Sequence, residues 1–123
     1  MWFNVAIKAS SKGIMMNRNL KGKRIGILGL GRVGVQVAKF AEAFDMKIGY
    51  YDSQNKNTNF LRFDSPEALF EWAEILSIHI PLNKNNVHFV DKSLLDLLPK
   101  QSILINTSRG AVIDESYLCS LIK

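Results

Sequence analysis

The feature that most constrains this chain is a change of hydrophobic period across three glycines. Residues 24–29, RIGILG, carry apolar residues and glycines at consecutive positions, as in a strand covered on both faces of a parallel sheet. From Gly31 to Phe44 the period becomes helical, with Val33, Val37, Phe40, Ala41 and Phe44 along one face, the face such a helix is expected to pack inward. Gly29, Gly31 and Gly34 therefore sit at a strand-to-helix turn, the context in which G-x-G-x-x-G has mechanical meaning. The first glycine permits the tight turn. The second lets backbone approach a pyrophosphate with no side chain in the way, and the third lets helix and strand pack closely. Free N–H groups and the dipole at the helix start then favour a diphosphate.

A second strand over residues 46–51 ends at Asp52, 18 residues beyond Gly34. That is close to the spacing of about 20 expected for the acid that accepts the hydroxyls of an adenosine ribose and repels a 2′-phosphate. Ser53 follows where a 2′-phosphate binder more often offers Arg, so NAD is favoured over NADP.

The remaining chain repeats the alternation. A short apolar run at 60–63 predicts a weak edge strand, and Ser65-Pro66 opens a helix in cap order with Leu69, Phe70 and Ala73 inward. Residues 75–80 are a strand stopped by Pro81; 91–98 are a helix, 102–106 a strand, and 114–123 a helix capped by Asp114. Strands and helices joined by short connections predict an α/β fold: a doubly wound parallel sheet of the Rossmann type, ending after its fifth main strand and the following helix. The apolar spacing in residues 2–10 predicts a short lead-in helix, and the polar stretch 10–23 a connector, so the binding domain is expected over 24–123.

Composition narrows the function classes. The longest apolar runs fall far short of the roughly 20 residues that cross a bilayer, and the first 16 residues lack the order of a secretory signal, so a cytoplasmic address and no membrane partner are expected. The net charge is +5, yet no acid precedes Glu42, a stretch that holds eight Lys and Arg. Such a basic segment lacks interleaved aromatics and a reader motif, which argues against nucleic acid and for positive potential beside a phosphate site. The lone Cys119 has neither a disulfide partner nor neighbouring metal ligands, so it is read as an inert core thiol and no metal is expected.

Open α/β sheets bind ligands at the carboxyl ends of their strands, which here are His79-Ile80-Pro81-Leu82 and Asn106-Thr107-Ser108-Arg109-Gly110. Arg109 can hold a carboxylate through two parallel hydrogen bonds. His79, inside a strand run, reads as a hydrogen-bonded structural histidine, and His88 as a surface one.

ILGLGRVG, KIGYYDS, IHIPLN and ILINTSRGAVID, in this order and at these separations, resemble the nucleotide-binding domain of the D-isomer-specific 2-hydroxyacid dehydrogenases. The likeness covers about Leu20 to the end of the chain, and NTSRGAVID is close to a family signature. It implies that Arg32 and Val33 lie on the pyrophosphate, Asp52 on the adenosine ribose, and Ile80 and Pro81 against the adenosine side. It also places Thr107 and Ser108 at the nicotinamide end. Arg109, beside the cofactor, would bind the carboxylate and keto oxygen of a 2-oxo acid while hydride moves between C2 and the nicotinamide. Asn83 stands where the family commonly has Thr. The family's catalytic His, and the Glu that orients it, have no matching position before Lys123, so this chain alone is expected to bind NAD and catalyse little. An exposed sheet edge and the apolar lead-in imply a homodimer. The alternative is an NAD-responsive regulatory module like the family's corepressor branch, in which the nucleotide shifts dimerisation without chemistry.

Overall fold

The computed structural model describes residues 4–7 and 19–122. Its elements in chain order are β1 (Asn4–Ile7), β2 (Arg24–Leu28), α1 (Arg32–Ala43), β3 (Lys47–Tyr51), β4 (Leu61–Arg62), α2 (Pro66–Trp72), β5 (Ile75–Ile78), α3 (Lys92–Leu95), β6 (Ile103–Asn106) and α4 (Glu115–Leu121). They build one sheet in the order β1-β6-β5-β2-β3-β4. The five strands from β6 to β4 run parallel, and β1 joins β6 antiparallel in the register Asn4 to Asn106. The order reverses at β2, which has β3 on one side and β5 on the other. A crevice outside the carboxyl ends of these strands is where a doubly wound sheet takes its ligand.

Strand alternation divides the core between the two faces of the sheet. Ile25 and Ile27 of β2 pack with Ile75, Tyr50 and the small residues Ala38 and Ala41 of α1. Leu28, Leu76, Ile78 and Leu104 pack on the other side with Leu69 and Phe70 of α2, Leu94 and Leu95 of α3, and Leu118 of α4. The local signals read above act as expected. The Ser65 hydroxyl accepts the Ala68 N–H at 3.1 Å, Asp91 caps α3 and Asp114 caps α4. The run at 60–63 contributes the two-residue edge strand β4.

Five expectations need correction. Asn4–Ile7 is a strand and not part of a helix, because its backbone finds a pairing edge on β6; the rest of the predicted lead-in helix, and the connector up to residue 18, lie outside the described residues. For the same reason the outer edge of β6 is paired and not left open. On α1 the inward face is Gly34, Ala38 and Ala41, so of the predicted stripe Ala41 is buried and Val37 packs against the core, while Val33, Phe40 and Phe44 are 57, 66 and 59 % exposed. A helix that must approach its strand closely turns its small residues inward, and the bulky stripe faces out. Cys119 is exposed and not in the core, since α4 buries Leu118 and the next position points about 100° away. The helix expected over 91–98 is regular only across Lys92–Leu95.

Candidate dinucleotide site

The glycine turn is held open by contacts that only glycine allows. Gly29 has φ +92, in the left-handed region, and a Cβ there would lie 2.9 Å from the His79 carbonyl oxygen. A Cβ on Gly34 would run into the Gly29 carbonyl oxygen, so this glycine sets how near α1 comes to the turn. Gly31 differs: a Cβ built on it meets nothing within 4 Å, although the residue lines the crevice. Gly31 is also the N-cap of α1 and offers no side chain to the first turn. The first intrahelical bond runs from the Val35 N–H to the Gly31 carbonyl, so the N–H groups of Arg32 and Val33 have no acceptor within the helix. Twelve residues of helix stand behind them. Open space, bare N–H groups and the positive end of a dipole together suit a diphosphate.

Asp52 lies across from this turn, at the end of β3. Its Oδ2 accepts the Leu30 N–H at 2.8 Å and its Oδ1 accepts the Gln54 N–H at 2.9 Å. The carboxylate is therefore fixed beside the glycines, and each oxygen keeps a further acceptor direction for a sugar hydroxyl. These are the features a dinucleotide requires, and the residues present fit NAD.

The cavity here measures about 390 Å3 and is lined by Gly29, Gly31, Asp52, Ser53, Ile80 and Pro81 among others. Of the residues singled out in the sequence, Gly29, Gly31, Asp52, Ile80 and Pro81 meet in it. Arg32, Val33 and Gly34, at the start of α1, and Thr107, Ser108 and Arg109, after β6, are not in its lining. Thr107 is tied to it through His79, a lining residue whose Nδ1 is 2.9 Å from the Thr107 hydroxyl. Burial pushes the His79 imidazole below its ordinary pKa, so the ring is neutral at pH 7. Asn106, only 1 % exposed, braces the turn after β6: its Oδ1 accepts the Ser108 N–H and hydroxyl, and its Nδ2 donates to the Arg109 carbonyl at 3.2 Å.

Asn83, noted in the sequence as a departure from the family pattern, and three residues not singled out complete the mouth. Asn83, Asn85, Asn86 and Phe89 line it from the loop after Pro81, where the Asn86 amide donates to the Pro81 carbonyl at 2.8 Å. The sequence signal was a polar loop after a strand-ending proline, which marks a site rim without saying which side chains turn inward. Among the described residues no three metal-ligating side chains cluster, and no helix is long and apolar enough to cross a membrane.

A family model described as the D-isomer specific 2-hydroxyacid dehydrogenase, NAD binding domain, matches residues 2–123. The chain is 41 % identical over 112 residues to a glyoxylate reductase of Thermofilum pendens, which covers 85 % of this chain and 32 % of that protein. It is 36 % identical over 111 residues to a D-lactate dehydrogenase of Staphylococcus aureus, covering 89 % of this chain and 34 % of the relative. Among solved structures, a 3-phosphoglycerate dehydrogenase of Entamoeba histolytica with NAD+ bound superposes with a TM-score of 0.78 at 36 % identity, over 85 % of this chain and 34 % of that one. The chain thus spans about a third of the length of the relatives it matches. Glycine turn, the carboxylate beside it, sheet order and these likenesses agree: the chain belongs to the NAD-binding domain family of the D-isomer specific 2-hydroxyacid dehydrogenases.

Proposed function

We propose that this chain is the cofactor-holding part of an oxidoreductase that moves a hydride between NAD(H) and a D-2-hydroxy acid or its 2-oxo acid. The observation that carries the reading is the pairing of an uncapped helix start at Gly31 with a carboxylate tethered to the Leu30 N–H at 2.8 Å. In this reading the unit from Arg24 onward does the binding. Gly29, Gly31 and Gly34 shape the turn, and the N–H groups of Arg32 and Val33 take the diphosphate. Asp52 takes the adenosine ribose hydroxyls, and Ile80 and Pro81 cover the adenosine side. Thr107 and Ser108 face the nicotinamide end, and Arg109 holds the substrate carboxylate and keto oxygen beside the cofactor.

When bound, NADH supplies the hydride that reduces C2 of a 2-oxo acid. The chain's own residues bind and orient. Reduction at C2 also requires a general acid for the new hydroxyl, a contribution of roughly 10² to 10⁴ in rate. The names of the relatives, glyoxylate reductase and D-lactate dehydrogenase, point to small 2-oxo acids.

The outward stripe of Val33, Phe40 and Phe44 supports a homodimer, since three large apolar side chains on one helix face form a patch suited to a second copy. A cytoplasmic address goes with the same reading. No observation favours the regulatory alternative.

Calorimetric titration of the 123-residue chain with NADH and with NADPH tests the site. Saturable NADH binding, weaker NADPH binding, and loss of NADH binding in Asp52→Arg are expected. Equal affinity for the two cofactors would refute the role given to Asp52, and binding of neither would refute the site.

A further inference from the structure

We propose that His79 is a positioning residue of this crevice: through Thr107 it stitches the turn that carries Ser108 and Arg109 to the end of β5, and so sets the nicotinamide end of the site. The proposal rests on the reading of the site as one for NAD.

His79 sits between the two halves of the site. Its backbone N–H donates to the Leu28 carbonyl at 2.7 Å, and its own carbonyl is the group that a Cβ on Gly29 would strike. Its backbone is thus packed against the glycine turn. Its ring reaches the other way and is bracketed by two hydroxyls, Ser77 Oγ at 2.7 Å from Nε2 and Thr107 Oγ1 at 2.9 Å from Nδ1. Ser77 is 2 % exposed, so water does not stand in for a missing partner.

That burial decides where the ring proton lies. With the proton on Nδ1, the ring donates to Thr107 Oγ1, the Thr107 hydroxyl turns to the Ile78 carbonyl 3.5 Å away, and the Ser77 hydroxyl donates to Nε2. Every polar hydrogen then has an acceptor. With the proton on Nε2, the ring donates to Ser77 instead, and the buried Ser77 hydroxyl hydrogen loses the ring as its acceptor. Leaving a buried donor unmet is costly, so the Nδ1–H tautomer holds. The relay therefore runs in one direction, from Ser77 through His79 to Thr107 and back to β5 at Ile78. Asn106 braces the 107–109 turn from within, and His79 ties that braced turn to the neighbouring strand end. The same residue thereby fixes the distance between the diphosphate turn and the turn that carries Arg109.

Two amide variants separate this role from general support of the fold. In His79→Asn the amide nitrogen can take the place of Nδ1 and keep the bond to Thr107. In His79→Gln the amide falls near Nε2 and the Thr107 bond is lost. The readout is the affinity of the 123-residue chain for NADH against ADP-ribose, which lacks the nicotinamide. His79→Gln is expected to weaken NADH by about threefold to tenfold, the worth of one neutral hydrogen bond, and to leave ADP-ribose unchanged. His79→Asn should retain NADH binding. Should His79→Gln fail to fold, the ring tautomer of the wild-type chain carries the test. Parallel losses for both ligands, or no change in NADH, would overturn the proposal. Nitrogen-15 spectra of the free chain read the tautomer without any ligand: an unprotonated Nε2 is expected, and a protonated one overturns the relay. A wild-type chain that bound neither ligand would sink the NAD reading, while the tautomer would still decide the relay itself.

Discussion

Gly31 and Gly34 are three residues apart in one motif, yet alanine at the two positions should do opposite things. At Gly34 the new methyl would overlap the Gly29 carbonyl oxygen and come within 3.2 Å of Ile27 Cγ2, so backbone must shift. Overpacking of that kind costs about 1–3 kcal/mol, and at roughly 4 °C per kcal/mol the melting temperature should fall by about 4–12 °C. At Gly31 the methyl meets nothing within 4 Å, and the backbone φ of −86 suits any residue. Gly31→Ala should therefore melt within a degree or two of wild type, or slightly above, because alanine narrows the unfolded ensemble. The space it fills is the space assigned to the diphosphate. The same 1–3 kcal/mol of overlap then falls on the complex, a loss of about 5- to 150-fold in NADH affinity. Thermal unfolding and calorimetry on both variants measure the two quantities side by side. If Gly31→Ala bound NADH as well as wild type, the diphosphate would not pass over Gly31, and the site would have to be redrawn.

Three further outcomes are expected. Ser65→Ala removes the cap of α2 and should cost about 1 kcal/mol in urea unfolding while leaving NADH affinity unchanged, since Ser65 is not part of the crevice; no loss of stability would mean that the cap contributes nothing. Phe40→Ser with Phe44→Ser should shift sedimentation toward the monomer without lowering the melting temperature, whereas an unchanged oligomer would move the dimer contact elsewhere on the surface. Because burial lowers the pKa of His79, the unfolded chain takes up its proton first as pH falls below about 6.5, so folding stability should drop from there toward pH 5 and show no His79 contribution above pH 7. Asp91, held below its ordinary range chiefly by the Ser93 hydroxyl, acts only at pH values below about 4 and leaves that window clear. Urea midpoints at pH 7 and 5 for wild type and His79→Asn check this, and an equal slope in both would assign the effect to another group.

The sheet and most of its helices were legible because each element carries its own period and stop signal. RIGILG reads as a buried strand, Ser65-Pro66 as a helix start, and Pro81 as a strand end from neighbours alone. What was misread depends on partners far along the chain. Residues 4–7 fit a short helix by spacing, and only β6, supplied about a hundred residues later, makes them a strand. On α1 two stripes compete, and periodicity cannot say that Gly34, Ala38 and Ala41 win over Val33, Phe40 and Phe44; the close approach at Gly29 decides it. That Asp52 would come to lie beside the glycine turn was readable because their spacing is set by one strand-helix-strand unit. The part played by His79 was not, since it needs Thr107 and Ser77 brought to both ring nitrogens by adjacent strands.

The pairing of β1 with β6 also orders events in time. Asn4 is synthesised roughly a hundred residues before Asn106, its partner, so β1 has no edge to join while β2, α1 and β3 can already assemble from nearby contacts. β1 is in this way made before β2 and β3 yet placed after them, since its docking on β6 follows the assembly of the cofactor half. Hydrogen exchange during refolding should accordingly find the amides of β2 and β3 protected before those of β1.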